Sequence, residues 1–279
     1  MTVPISYLIF SALIGLIIGS FISMLSWRLP RALFAEELAD LQGKQSDLPE
    51  ESDNHSFRSI FFGRSACPKC NQTLPWYRLI PIVSYLSSTG RCHNCNEKIS
   101  LRYPLIEIAS MLLTVITVWH FGMTTTTIYA LVFIWVLLTI SVIDIEHQLI
   151  LDILSLPLLW LGLLLSTFNL FTDPVMAIWG AAAGYLILWI LFHTFRLLTG
   201  KEGMGYGDFK LLAALGAWFG LSAIPQIILI ASISSLIIGL AAIILQRRSM
   251  QQAIPFGPFL ALGGGAYLFL GSELLGGFL

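Results

Sequence analysis

Eight apolar runs, separated mostly by short polar stretches, set the rhythm of the 279-residue chain. They fall at about 4–27, 104–121, 127–147, 153–170, 175–195, 210–223, 224–246 and 256–276. About 20 apolar residues in a helix cross a bilayer core of roughly 30 Å, so these runs predict membrane helices. The run after Lys210 is short before Pro225 and predicts a partial or broken helix. Residues 28–103 interrupt the pattern as one long polar excursion. Within it Leu33 to Leu41 predicts a short surface helix, and the acidic remainder to Arg64 reads as linker. The expected order is a first transmembrane helix at 1–27, a loop domain at 28–103 and a membrane-embedded domain at 104–279. The predicted fold class is an all-α polytopic membrane protein of about eight transmembrane helices with a small cytoplasmic loop domain.

Composition agrees with that reading. Residues are 56% hydrophobic and 11% charged, against roughly 25% charged in a soluble domain. Ten of the fifteen Lys and Arg lie between Arg28 and Arg102. If the first helix runs from outside to inside, the inner segments are 28–103, 147–152, 196–210 and 246–255. All fifteen basic residues then fall in or at the edges of those segments. The outer connections (Gly122–Thr126, Asn169–Asp173 and Leu221–Ala223) hold none, as the positive-inside bias requires. The amino terminus is therefore expected outside and the large loop in the cytoplasm. No Lys or Arg precedes Arg28, so the first helix reads as a retained anchor rather than a cleaved signal.

That location changes how the cysteines are read. Cys67-Pro-Lys-Cys70 and Cys92-His-Asn-Cys95 are two C-x2-C knuckles separated by 21 residues, close to zinc-ribbon spacing. Each knuckle aims two thiolates at one point, and the pair completes a tetrahedral shell of four sulfurs. Disulfides need an oxidising compartment, which a cytoplasmic loop lacks. A structural zinc held by Cys67, Cys70, Cys92 and Cys95 is expected. His93 reads as filler, because four sulfurs already close the site.

The remaining chemistry lies in acids at span ends. Asp144 closes the run through Ser141-Val-Ile, and Asp208 follows Gly203-Met-Gly205-Tyr-Gly207. The charge pattern sets both at the cytoplasmic edge of the bilayer, where an ionisable group is costly and so a functional candidate. Two carboxylates sharing a site cannot both ionise cheaply, so one keeps its proton. That leaves one group to deprotonate water and one to protonate a carbonyl, which is what amide hydrolysis without a covalent intermediate requires. A buried ion pair with Lys210 and a transporter's proton relay are the bland alternatives. Asp152 reads as the N-cap of the fourth span, and Glu146 and His147 as interfacial residues. The three glycines leave room for an extended chain beside Asp208. A dinucleotide loop would follow a β-strand; here a membrane helix precedes the glycines.

The motifs together resemble the type IV prepilin peptidases, a family of GxGD aspartyl membrane proteases that also N-methylate their product. The likeness runs through Gly19-Ser-Phe21, Arg28-Leu-Pro30, Trp76-Tyr-Arg78, both knuckles, Arg102-Tyr-Pro104 and Glu107. It continues at Asp144-Ile-Glu-His-Gln-Leu149, Gly205-Tyr-Gly207-Asp208-Phe-Lys210 and Pro255-Phe-Gly257-Pro258. Ser23 stands where the family often has Asn, and Leu151 where it often has Pro, so local differences are expected at the 147–152 turn. The resemblance implies Asp144 and Asp208 as the catalytic pair, 64 residues apart. It also implies prepilin or type II secretion pseudopilin substrates, S-adenosylmethionine as methyl donor, and a multi-pass place in the bacterial inner membrane. Membrane lipid is an expected partner and nucleic acid is not. No motif places the methyl-donor site, for which the cysteine loop is the natural candidate. The competing reading is a membrane transporter with a cytoplasmic zinc domain. It predicts charges at mid-bilayer depth and related halves, and the sequence has neither.

Overall fold

The structure, a computed structural model, describes residues 3–41, 65–67, 69–70, 72–75, 79–201, 203–245 and 254–271. The linker expected through 42–64 and the Trp76-Tyr-Arg78 motif lie outside the described residues. The helices are α1 (Ile5–Leu41), α2 (Val83–Ser87), α3 (Arg102–Phe121), α4 (Thr125–His147) and α5 (Asp152–Ser166). They continue as α6 (Pro174–Thr199), α7 (Tyr206–Phe219), α8 (Ala223–Ile244) and α9 (Gly257–Leu270). Among the described residues the only β pairing is two isolated bridges. The all-α expectation is met.

Each predicted apolar run coincides with a helix, but length divides them. Five are long and apolar enough to cross a membrane: α1 as far as Glu36, α3, α4, α6 and α8. The other three are shorter, with 15 residues in α5 and 14 each in α7 and α9. By compactness the chain divides into two units, Met1–Thr127 and Ile128–Leu279.

In the first unit α1 and α3 lie side by side along Gly15-Leu-Ile-Ile-Gly19. A Cβ on Gly15 would stand 2.6 Å from Met111 Cα, and one on Gly19 would stand 2.6 Å from Glu107 Cα. Small residues at this spacing let membrane helices approach closely, where dispersion replaces the hydrophobic effect as the driving force. The sequence predicts a break between the first span and the Leu33–Leu41 helix, yet α1 runs through both. Pro30 removes one N–H from the helix ladder, and side chains from α3 and from α1 itself hold the turn. Arg102 Nη2 donates to Ser26 Oγ at 2.7 Å, Ser26 Oγ donates to Ser23 O at 3.2 Å, and the Arg31 guanidinium lies 3.3 Å from the Trp27 ring centre. With 37 residues, α1 is about 55 Å long and outreaches a bilayer core.

The second unit is arranged around α7, the run expected to be partial. From Leu211 to Phe219 every residue of this helix is buried. Small residues make that possible, because the α6 and α7 backbones meet where a Cβ on Gly216 would overlap the Gly180 carbonyl. The indole of Trp218 is satisfied within the core: Nε1 donates to the Leu158 carbonyl at 2.8 Å, and the ring centre lies 4.6 Å from that of Phe133. About 21 Å long, α7 need not cross a bilayer, since its neighbours enclose it. Its first turn opens onto a cavity.

Candidate active site and candidate metal centre

Asp144 is set by the way α4 ends. Gln148 adopts φ 52, and its N–H bonds the Asp144 carbonyl at 2.9 Å. Left-handed backbone is uncommon outside glycine; here it turns the chain sharply toward Ile150 and Leu151. Asp208 is set by the start of α7, where Gly205 is extended and the Asp208 N–H bonds the Gly205 carbonyl at 3.3 Å. Both side chains line one cavity of about 680 Å³, together with Gln148, Asp152, Gly205 and Phe256. They are only 5% and 6% exposed. The two residues that the sequence singled out, from helices far apart in the chain, therefore meet in one site.

Their environments differ. Asp144 Oδ2 accepts the Gly257 N–H at 2.9 Å. Asp208 Oδ1 is buried with no hydrogen-bond partner among the described residues. A side chain at Gly257 would make one of its neighbours shift, since a Cβ there would lie 2.7 Å from Asp144 Oδ2 and 2.9 Å from Ile150 Cδ1. Gly207 is constrained from the same direction: its Cβ would lie 2.6 Å from Ile150 Cβ. Ile150 is thus a wedge between the two glycines that flank the aspartates. Sequence reasoning gave Ile150 no role and quoted Gly257 only as part of a motif, because the use of each lies in a contact made across the fold.

The rim corrects one expectation and removes one alternative. Leu151, not Asp152, occupies the N-cap position of α5, and no side chain caps the helix. Asp152 is the first helical residue, and its carboxylate takes Lys210 Nζ at 2.6 Å. The reason is distance: Lys210 sits two residues beyond Asp208 and reaches the rim, where an acid at a helix start also suits the macrodipole. Lys210 therefore pairs with neither catalytic candidate. Glu146 is exposed, His147 is half-buried, and neither lines the cavity, as expected of interfacial residues.

A further acid went unremarked in the sequence beyond its place in a motif. Glu107, buried in α3, accepts the Ile82 N–H at 2.8 Å. Ile82 sits at φ 60, a strained conformation for a β-branched residue. The signal was available: an acid inside an apolar run is expensive.

In the first unit the four cysteines converge. All are free, and their Sγ atoms lie within 4.8 Å of one another. The Cys67–Cys95 Sγ separation is 3.8 Å; a tetrahedron with zinc–sulfur bonds of about 2.3 Å has an edge of about 3.8 Å. The donor set fits a closed structural zinc, with His93 outside it. The knuckles are built alike. Antiparallel bridges Ala66–Thr73 and Arg91–Lys98 enclose them, and Cys67 N–H bonds Gln72 O as Cys92 N–H bonds Glu97 O, at 3.0 and 2.8 Å. Hydrogen bonds from the backbone N–H groups of Cys95 and Asn94 bring the Cys92 thiol down to about 6. The Gln72 N–H, then the Asn94 side chain, lowers that of Cys70. Against the Glu97 N–H, burial and the neighbouring thiols push Cys95 up to about 11, so the four sulfurs are not all held as thiolates, the form that binds metal. A cavity of about 290 Å³ adjoins the second knuckle, lined by Ser84, Ser87, Ser88, Arg91, His93 and Asn96 among others.

Comparison with known proteins gives consistent matches. The bacterial peptidase A24 N-terminal domain matches residues 13–121, and the type IV leader peptidase family matches residues 131–240. A Stutzerimonas stutzeri protein named prepilin leader peptidase/N-methyltransferase is 40% identical over 99% of this chain and 95% of its own length. Proteins of the same name from Pseudomonas aeruginosa and Aeromonas salmonicida are 41% and 42% identical, over 97% and 94% of this chain and 93% and 90% of theirs. No solved structure matches the chain.

Proposed function

Because the chain belongs to the type IV leader peptidase family, we propose that it cleaves the leader from prepilins or pseudopilins and N-methylates the new amino terminus. The observation that carries the cleavage reading is the meeting of Asp144 and Asp208 in one cavity. Their unequal surroundings support unequal roles. Asp144, with an N–H donated to it, suits the charged state and takes a proton from water as the water oxygen attacks the scissile carbonyl carbon. Asp208, whose Oδ1 has no partner among the described residues, carries the proton and gives it to the carbonyl oxygen. In collapse the gem-diol returns a proton to Asp208, Asp144 delivers its proton to the amide nitrogen, and the C–N bond breaks. Both groups end as they began.

The charge distribution supports an inner-membrane protein with its amino terminus outside, so the cavity and the cysteine loop face the cytoplasm. A substrate whose apolar helix lies in the bilayer then brings its scissile bond to the level of the two aspartates. Cys67, Cys70, Cys92 and Cys95 would hold zinc, which fixes the shape of the loop. For the second activity S-adenosylmethionine supplies an electrophilic methyl group. The new α-amine, with a pKa of roughly 8, must lose its proton to accept it. The small cavity by the second knuckle is the candidate donor site, with Arg91 placed to meet a carboxylate and the serine hydroxyls to meet polar edges. The transporter alternative gains no support from the relatives or from the position of the acids.

The test is incubation of the purified chain with a prepilin and labelled S-adenosylmethionine, followed by mass measurement. A product shortened by its leader and carrying one methyl group is expected. An intact prepilin would refute the reading.

A further inference from the structure

Glu107 lies in the second turn of α3 and is only 7% exposed. An ionisable group inside an apolar span is costly and is kept for a use, yet neither the aspartate cavity nor the cysteine cluster includes it. Packing encloses it from α1: a Cβ on Gly19 would stand 2.6 Å from Glu107 Cα and 3.2 Å from its carbonyl oxygen. What the carboxylate accepts is a backbone group of the cysteine loop, the Ile82 N–H, at 2.8 Å.

Ile82 is the odd residue of its turn. It sits at φ 60 and ψ −50, and the Val83 N–H bonds back to the Pro81 carbonyl. That is a γ-turn of the rare, strained kind, and a β-branched side chain makes it costlier still. The turn sets the course of α2, which begins at the next residue, Val83. Ser84 and Ser87 of α2, with Ser88 at its end, then line the cavity of about 290 Å³ that Arg91 and His93 share. A strained residue persists only where its surroundings over-determine it, and Glu107 supplies that hold from outside the turn. A carboxylate sunk in a membrane helix thus fixes the backbone from which one wall of the cavity starts.

We infer that Glu107 is a positioning residue for methyl transfer: it latches Ile82 in its turn and so sets α2 against S-adenosylmethionine in the small cavity. This rests on the placement of the methyl donor in that cavity and adds what fixes one of its walls. The latch needs an acceptor oxygen rather than a charge, so glutamine should replace glutamate and leucine should not. Glycine adopts positive φ freely, so Ile82→Gly should make the latch dispensable. The aspartate cavity is lined by residues of the second unit alone, so cleavage should not depend on the latch.

The experiment uses the purified full chain, a mature pilin as methyl acceptor and a prepilin for cleavage. For S-adenosylmethionine, kcat and KM are measured in Glu107→Leu, Glu107→Gln, Ile82→Gly, the Glu107→Leu/Ile82→Gly double variant and Arg91→Met, with melting temperature alongside. Glu107→Leu is expected to lower methylation kcat/KM by about 10²-fold, through KM more than kcat, with prepilin cleaved at the wild-type rate. Glu107→Gln should methylate close to wild type, and the double variant should recover most of what leucine alone loses. A wild-type KM in Glu107→Leu overturns the inference. So does a glutamine variant as impaired as leucine, or a double variant no better than Glu107→Leu. Loss of cleavage and melting temperature together in Glu107→Leu would make the residue merely structural and overturns it too. A wild-type KM in Arg91→Met sinks the cavity reading and this inference with it. Impaired Arg91→Met beside an unaffected Glu107→Leu sinks this inference alone.

Discussion

Cys67, Cys70, Cys92 and Cys95 converge through two short turns of one design, each closed by its own backbone hydrogen bonds. Asp144 and Asp208 converge only because α4 ends in a left-handed turn, α7 starts at a bare glycine, and Ile150 wedges between Gly207 and Gly257. The first site is local and repeated; the second is assembled from parts far apart in sequence. A local site is specified by spacing and completed by a ligand. An assembled one is specified by close backbone approach, and its weak points include residues that hold the acids in place rather than react.

Several variants can break or sharpen that contrast. The largest effect is expected from removing either carboxylate's acid–base capacity. Asp144→Asn and Asp208→Asn should each lower leader cleavage by about 10⁴-fold, with melting temperature and methylation of a supplied mature pilin retained. A prepilin cleavage time course reads this directly. Next comes the cysteine site. Stripping metal with a chelator, or Cys67→Ser, should abolish zinc binding and expose the loop to protease, since structural zinc sites fold with their metal. Methylation should fall more than cleavage. Equal and complete loss of both activities would show that the loop also shapes the aspartate cavity.

Supporting contacts should come third. Gly257→Ala forces a shift of Asp144 or Ile150 and should lower kcat by about 10²-fold, the cost of misplacing a reacting group by about 1 Å. Gly207→Ala should cost about 1–3 kcal/mol of stability by overpacking against Ile150, read as a drop in melting temperature. The smallest effect should be at the rim. Asp152 and Lys210 are 53% and 31% exposed, so Lys210→Met should change stability by less than about 1 kcal/mol and leave cleavage within a few-fold.

What the sequence made legible follows the same division. C-x2-C spacing is a local signal, and the structure gathers the four sulfurs it names. Asp144 and Asp208 were readable through the charge pattern, since both lie at ends of apolar runs beside the basic segments. The shortness of α7 was readable from Pro225. Ile150, by contrast, is one apolar residue among many, and only the glycines from two distant segments reveal its use. Asp152 looked like a cap because its neighbours in sequence are helical, whereas its partner Lys210 lies 58 residues away. The continuity of α1 through Pro30 was hidden for a related reason, since Arg102, which braces that turn, comes from α3.

The central claim is that the two aspartates act as one hydrolytic pair. Single-turnover cleavage of a prepilin by wild type, Asp144→Asn, Asp208→Asn and the double variant tests it most directly. Residues acting as a unit are non-additive, so each single variant should lose about as much rate as the double. Substantial cleavage by either single variant, or losses that multiply in the double, would contradict the claim.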